Sequence, residues 1–553
     1  MKGVILTILM ALALTSCSST APDSSDRLLV VRNATILAGP ALERIEAGSI
    51  VIRDGRIAWV GTDSSLPAWA AAGESLDASG MTILPGLVDA HAHIAGLGAS
   101  LDTVDLVAAS SYDEVITRIL DDARDKPTGE WILGRGWDQN DWPVKEFPDA
   151  ATLDRAVENR PVWVVRIDGH AGLASSAAMK AARITAQTPD PQGGKILRNP
   201  DGSPTGVFID AAMDLVERVI PPPSRPVRRA RIVEAARNIA ARGLTGVHDA
   251  GVDQDTIQLM RELIDAGELP IRVYAMLSDD SELLDYWFER GPLIDYGDHL
   301  TVRSVKLYAD GALGSRGAAL LAPYSDDPSN SGLMIASTDH VASRAQAAST
   351  AGFQVGTHAI GDRAVRNVID AYESAGIRPE QRFRIEHLQV VSPEDFPRLS
   401  GLGIISAMQP THATSDMPWA EDRLGADRVR GAYAWRTVLD AGSRLALGSD
   451  FPVEQVDPFL GIYAAVTRQD LEGAPAGGWF ADQRLTLEEA IRGFTLDAAF
   501  AAFEEDRRGT IEVGKWGDLT IVEPEPRESA ASMLPSTKVR YTIVNGRIVH
   551  RSE

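Results

Sequence analysis

Cysteine is almost missing from this sequence: there is one, Cys17, among 553 residues. No intrachain disulfide is possible and no thiolate cluster can hold a metal, so any metal must be bound through His, Asp, Glu or Lys. Basic residues are outnumbered, with 54 Lys and Arg against 77 Asp and Glu, which gives a net charge of −23 and a pI near 4.9. A field of that sign repels phosphate backbones and anionic lipid, so nucleic acid is excluded as an expected partner and a small molecule is favoured. The apolar run near the N-terminus, residues 4–14, is too short to span a bilayer and matches the hydrophobic region of a secretory signal. No repeat at a fixed period is present, which argues against a solenoid or propeller. What remains is an ordinary globular composition, 44% hydrophobic and 24% charged, in 59.3 kDa. That length suits one large α/β barrel with an accessory domain.

The apolar run ends in Leu14-Thr15-Ser16-Cys17, which resembles a bacterial lipobox. The resemblance implies a signal peptide over residues 1–17, lipidation of Cys17, and a Ser/Pro/Asp-rich tether over residues 18–27. The protein is then expected in the cell envelope on the periplasmic side, touching the membrane only through its lipid. Ser18, not Asp, follows the cysteine, which favours the outer membrane in a diderm. A plain signal peptide cleaved nearby is the alternative.

Short alternating runs bounded by turns, such as Asp54-Gly55, occupy residues 28–60, and a matching set follows Asp518. Residues 28–84 and 510–553 are therefore expected to pair into one small β-sandwich domain. Between them, apolar runs of strand length alternate with helical stretches, the pattern of a (β/α)8 TIM barrel over residues 85–509. The runs are 82–90, 161–167, 244–248, 271–276, 302–308, 353–357, 382–385, 403–408 and 444–447, nine where a barrel needs eight. His91 and Leu244 are 153 residues apart, several times a normal spacing, so an insertion is expected after the first strand, over about 106–225, and it takes the run 161–167.

The first run ends in Val88-Asp89-Ala90-His91-Ala92-His93, and histidines two apart on a strand share a face, so both imidazoles can reach one ion. Four further runs lead to Lys306 with Asp310, His358, Glu386-His387, and Ser449-Asp450. In a parallel barrel those C-terminal ends converge on one point. Packing alone explains any one of them, a buried hydrogen-bonded histidine or an N-cap aspartate, but not the joint placement.

These residues, with Leu84-Pro85-Gly86, Gly134-Arg135-Gly136-Trp137-Asp138-Gln139, Asp168-Gly169-His170-Ala171, Asp310 to Arg316, Thr357-His358-Ala359-Ile360-Gly361-Asp362, Arg384-Ile385-Glu386-His387 and Gly448-Ser449-Asp450-Phe451-Pro452, resemble the metal-dependent amidohydrolase superfamily, in its amidohydrolase-family-3 or YtcJ-like branch. One departure is Ala174-Ser175-Ser176, where the family usually shows Asn-Ser. The resemblance implies two divalent ions, zinc, one on His91, His93 and Asp450 and the other on His358 and His387, bridged by Lys306 as a carboxylated lysine. An ordinary lysine in a salt bridge is the alternative. The resemblance further implies a bridging hydroxide as nucleophile and Asp450 as the catalytic general base.

Trp137, Asp138 and His170 in the insertion read either as lid residues that contact substrate or as packing of that subdomain. Tyr308 and Arg316 are candidates to bind a substrate carbonyl or carboxylate, and His248 and Asp249 are expected behind the ligands. The expected activity is hydrolysis of a C–N bond in an amide, N-substituted formamide or other N-acyl compound. An ester or lactone hydrolase on the same site, or a lipid-anchored solute-binding protein without chemistry, are the competing readings. Homo-oligomers are compatible with all three.

Overall fold

A computed structural model describes residues 27–552 apart from 125, 128, 158, 170, 192 and 193; Cys17 and His170 lie outside the described residues. Eight parallel strands form the central sheet: β1 (Leu87–Ala92), β2 (Leu244–Val252), β3 (Arg272–Ser278), β4 (Leu300–Tyr308), β5 (Gln354–Ala359), β6 (Arg384–His387), β7 (Ile405–Met408) and β8 (Leu445–Leu447). Each pairs with the next in order. Strands covered on both faces need no polar alternation, and β1 and β6 through β8 are buried at every position. Helices on the outside, such as Gln254–Asp265 and Asp362–Ser374, turn an apolar stripe inward. This is a nearly closed (β/α)8 barrel.

The seam between β1 and β8 is closed by side-chain and loop hydrogen bonds. Buried Asp89 accepts from Ser449 N at 3.0 Å, Ser449 Oγ at 2.6 Å and His91 N at 3.0 Å. Asp450 N donates to the His91 carbonyl at 2.8 Å. Two strands that end in candidate ligands are thereby held in fixed register.

Both chain ends build an extra sheet domain of eight strands, joined where Thr82–Pro85 pairs antiparallel with Leu519–Glu523. Its core includes Ile36, Ile52, Leu519, Ile521 and Ile543. The apolar run 82–90 is therefore not one strand. It breaks at Gly86, where an added Cβ would lie 2.5 Å from Thr245 Oγ1, so the chain passes from domain to barrel through a contact that only glycine tolerates. Arg272 at the start of β3 fastens the two bodies, donating to Asp518 at 2.6 and 2.9 Å beneath the Trp516 ring.

Between β1 and β2 a separate sheet of six strands runs from Val104–Asp105 to Pro204–Asp210 and includes Val162–Arg166, the ninth apolar run. It has its own core around Leu106, Ile132, Trp137, Val164 and Leu173. Among the described residues no helix is long and apolar enough to cross a membrane.

Candidate metal centre

The barrel brings all six expected metal ligands to one end. His91 lies in β1 and His93 just beyond it, Lys306 in β4, His358 in β5, His387 closes β6, and Asp450 is the third residue after β8. Ring centroids of His91 lie 5.5 Å from His93 and 4.9 Å from His387, and those of His358 and His387 are 4.6 Å apart. His91 Nε2 is 3.0 Å from Lys306 Nζ, and His93 Nε2 is 3.1 Å from Asp450 Oδ1. His387 and Asp450 both have left-handed backbone, φ 70 and 62, a conformation costing a non-glycine residue about 1–3 kcal/mol and concentrated at functional sites.

The other nitrogen of each ring decides what these atoms can bind. His91 Nδ1 donates to Glu386 Oε2 at 2.5 Å, His93 Nδ1 to the Ala250 carbonyl at 2.9 Å, and His387 Nδ1 to Gln409 Oε1 at 2.8 Å. His358 is bonded to the Gly311 backbone. With Nδ1 carrying the proton, Nε2 of His91, His358 and His387 turns a lone pair toward the centre, the arrangement that orients metal-binding histidines, whereas burial would lower His93 but Asp450 outweighs it and holds that imidazole above its ordinary value. Burial pushes His91 down to about 4 and His358 down to about 3, and holds His387 well below its ordinary value, so all three are neutral ligands at pH 7. His358 Nε2 and Asp450 Oδ1 are buried without a hydrogen bond. Orphaned buried polar atoms of this kind are rare, and a divalent ion would satisfy both, so the donor set fits a metal. Burial would raise the Asp450 carboxyl, but His412 and His93 hold it well below the usual carboxylate range.

His412 was not expected from the sequence. It lies in the helix Pro410–Asp416 after β7, with Nδ1 3.0 Å from Glu454 Oε1 and Nε2 3.5 Å from Asp450 Oδ2. Among the described residues two sets of three ligand atoms come within 4.8 Å of one another: His91, His93 and Asp450, and His387, His412 and Asp450. The first is the expected set for one ion, and in the second His412 stands where the sequence reading had His358.

Residues 74–550 match the amidohydrolase family. The chain belongs to that family. This amidohydrolase is 34% identical over 486 residues to YtcJ of Bacillus subtilis, covering 86% of this chain and 90% of that protein. It is 29% identical over 545 residues to N-substituted formamide deformylase of Arthrobacter pascens, covering 94% and 98%. An uncharacterized metal-dependent hydrolase from Pyrococcus horikoshii has the same fold at a TM-score of 0.76 and 27% identity, covering 91% and 99%. The family generally uses divalent metal ions.

In this amidohydrolase the expected substrate contacts fare unevenly. Trp137 is fully buried in the insertion core, with Nε1 donating to the Val164 carbonyl at 2.9 Å and its ring against Trp142 and Phe147. Its ring thus packs the core of the insertion. Asp138 accepts from Arg166 at 2.5 Å, and Arg316 is paired with Asp326 at 2.8 Å. Tyr308 is 41% exposed, with its ring 5.6 Å from that of His358, and is the one of these placed beside the centre. His248 Nδ1 meets Arg384 at 2.8 Å, and Asp249 accepts from Ile94 N at 2.9 Å. Asp310 accepts three backbone N–H groups, from Ala319, Ile360 and Gly361, and so ties the loop after β4 to the one after β5.

Proposed function

We propose that this amidohydrolase cleaves a carbon–nitrogen bond in an N-acyl compound, an amide or N-substituted formamide, with two zinc ions held around a carboxylated Lys306. The observation that carries the reading is the convergence of four histidines, His91, His93, His358 and His387, on Asp450 and Lys306. The bond type is supported by the likeness to a protein named for N-substituted formamide deformylation. His91, His93 and Asp450 would hold one ion, and His358 and His387 the other. When bound, such ions polarise a carbonyl and lower the pKa of a shared water from 15.7 toward about 7.

The chain's own groups do the rest. Burial brings Lys306 down to about 8, so about a tenth is free amine at pH 7, far more than an ordinary lysine offers. That lone pair can bond the carbon of carbon dioxide and the nitrogen then releases one proton to solvent, turning the neutral amine into a carbamate whose single negative charge is shared by two oxygens. Asp450, held as carboxylate, takes the proton of the attacking water and returns it to the departing nitrogen. A carbon–oxygen bond forms, the carbon–nitrogen bond breaks, and the amine leaves neutral. His412, braced by Glu454, fixes the second oxygen of Asp450 so that the first faces the reacting atoms.

The test is a panel of N-formyl and N-acetyl amines beside matched esters, with metal content measured in parallel. Turnover of amides that is lost on chelation and regained with zinc is expected. Turnover of esters alone would make the protein an ester hydrolase. Full zinc loading with no turnover of any kind would make it a binding protein.

A further inference from the structure

A cavity of about 560 Å³ opens in the sheet domain built by the two chain ends, within the size range of small-molecule sites. One wall is the strand Arg547–Arg551, which ends the sheet and pairs on one side only, with Lys538–Val544. The opposite wall is Leu29 and its parallel partner Glu74, on the short strand Glu74–Asp77. The cavity thus occupies a gap between two sheet edges, and the outer backbone groups of Arg547–Arg551 have no ladder partner there. Its side chains are mainly cationic. Arg27, Arg547 and Arg551 all line it, and Glu74 is the only acid among its described lining residues. None of the three guanidinium groups forms a salt bridge among the described residues. Asp54 accepts from the Arg27 backbone N–H, at 3.1 Å, and not from its guanidinium. Arg551 lies over the Tyr541 ring at 5.4 Å, which orients its head without neutralising it. Burial and then the charge of Arg547 lower the pKa of Arg27, as expected where two cations face each other. Burial also keeps His550 below its ordinary value, so at pH 7 it adds no fourth cation.

In a chain of net charge −23, cations gathered around one cavity repel each other without serving solubility, and an anionic ligand removes that cost. Three arginines against one glutamate leave 3 − 1 = 2 positive charges unmatched. A phosphate monoester carries about 1.5 to 2 negative charges at pH 7, where a carboxylate carries one. Planar guanidinium groups also match phosphate oxygens in pairs. We propose that this cavity binds a phosphate monoester through Arg27, Arg547 and Arg551, with the apolar side chains of Leu29 and Ile548 beside the carbon skeleton that bears it. The site shares no residue with the candidate metal centre and does not depend on the hydrolytic reading.

The test uses the zinc-loaded full chain with two sources of the same chemistry. Calorimetry with glycerol 3-phosphate at low ionic strength measures a soluble ligand, and co-sedimentation with phosphatidylcholine vesicles, with and without phosphatidic acid, measures a lipid one. Arg547→Gln and Arg551→Gln should each weaken binding by about 10-fold, the low end for a charge-assisted hydrogen bond, as suits exposed side chains. Glu74→Gln should strengthen it, because the acid in the wall repels the ligand. Binding of glycerol 3-phosphate with these dependences assigns a soluble ligand, and binding confined to vesicles that contain phosphatidic acid, with the same dependences, assigns a lipid. Phosphate held at the metal centre would survive all three substitutions, so an affinity indifferent to them would overturn the proposal, as would the absence of binding in both assays. Wild-type melting temperatures in the variants exclude unfolding as the cause of lost binding. Should an arginine variant fail to fold, Glu74→Gln and the salt dependence of wild-type binding decide: affinity that neither rises in Glu74→Gln nor falls with added salt would overturn the site.

Discussion

Replacing Glu386 by Gln keeps the shape of a fully buried side chain and removes only its charge, which makes the consequence calculable. Glu386 Oε2 accepts from His91 Nδ1 at 2.5 Å and from Arg384 Nη2 at 2.8 Å, and Arg384 is itself fully buried. The amide of Glu386→Gln turns hydrogens toward a guanidinium that has no other anion, and removing one partner of a buried pair costs about 3–5 kcal/mol. It also releases the His91 tautomer, and loss of such an orienting carboxylate lowers metal affinity by about 10- to 100-fold. Urea unfolding of the metal-free protein measures the first effect and zinc competition with a chelator the second. Adding Arg384→Met should recover stability, because the unpaired cation is gone, but not zinc affinity. Burial would raise Glu386, yet Arg384 and His91 hold it at about 2 against 4.5 for the free side chain. A carboxyl lowered by folding contributes fully above about pH 4.5 and loses that contribution as pH falls toward 2. The fall in stability over that window should therefore be shallower in Glu386→Gln. Unchanged stability with unchanged zinc affinity would refute the role assigned to Glu386.

Asp450→Asn keeps an oxygen at the centre but cannot carry a proton, so kcat should fall by about 10²- to 10⁴-fold with metal partly retained; near-wild-type turnover would exclude Asp450 as the proton carrier. Lys306→Ala should lose metal and activity together, and short carboxylic acids should restore part of both; full metal content in the variant would show that Lys306 is no bridge. Trp137→Ala should cost about 3–5 kcal/mol and expose the insertion to proteolysis while zinc content stays at the wild-type level. A change in KM at unchanged stability would return Trp137 to the substrate contacts. In cells fed radioactive fatty acid, Cys17→Ser should abolish label, and equal labelling of both forms would rule out the lipid anchor.

The candidate ligands of β1, β4, β5, β6 and β8 were legible because two independent signals coincide. A parallel strand buried on both faces reads as an unbroken apolar run, and such strands all end at one face. His91, Lys306, His358, His387 and Asp450 each terminate or closely follow such a run. His412 escaped because it lies a helical turn past Met408, on Pro410–Asp416, where no strand pattern points to it. Following β7 as far as the other strands were followed would have reached it. Glu386 was visible as a neighbour of His387, but its partner His91 lies 295 residues away, and no local pattern announces a contact of that range.

The burial of Trp137 has a local physical cause. Counting by twos along Ile132–Trp137 puts positions 135 and 137 on one face, which is why an aromatic beside a glycine-rich turn reads as lid or packing without a way to choose. The ladder with Val162–Arg166 slips by one residue there: Arg135 faces Val165, and Trp137 faces Arg166. Gly136 absorbs the slip at φ 114, where an added Cβ would lie 2.6 Å from Val107 Cγ2, so this bulge requires glycine. Beyond it the faces invert. Trp137 turns into the core of the insertion, and Arg135 donates to the Ile167 carbonyl outside it. Converting Gly136 to Ala should therefore shift both neighbours together and loosen the insertion, read as faster proteolysis of that sheet at unchanged zinc content; an insertion as resistant as the wild type would show that the bulge does not need glycine.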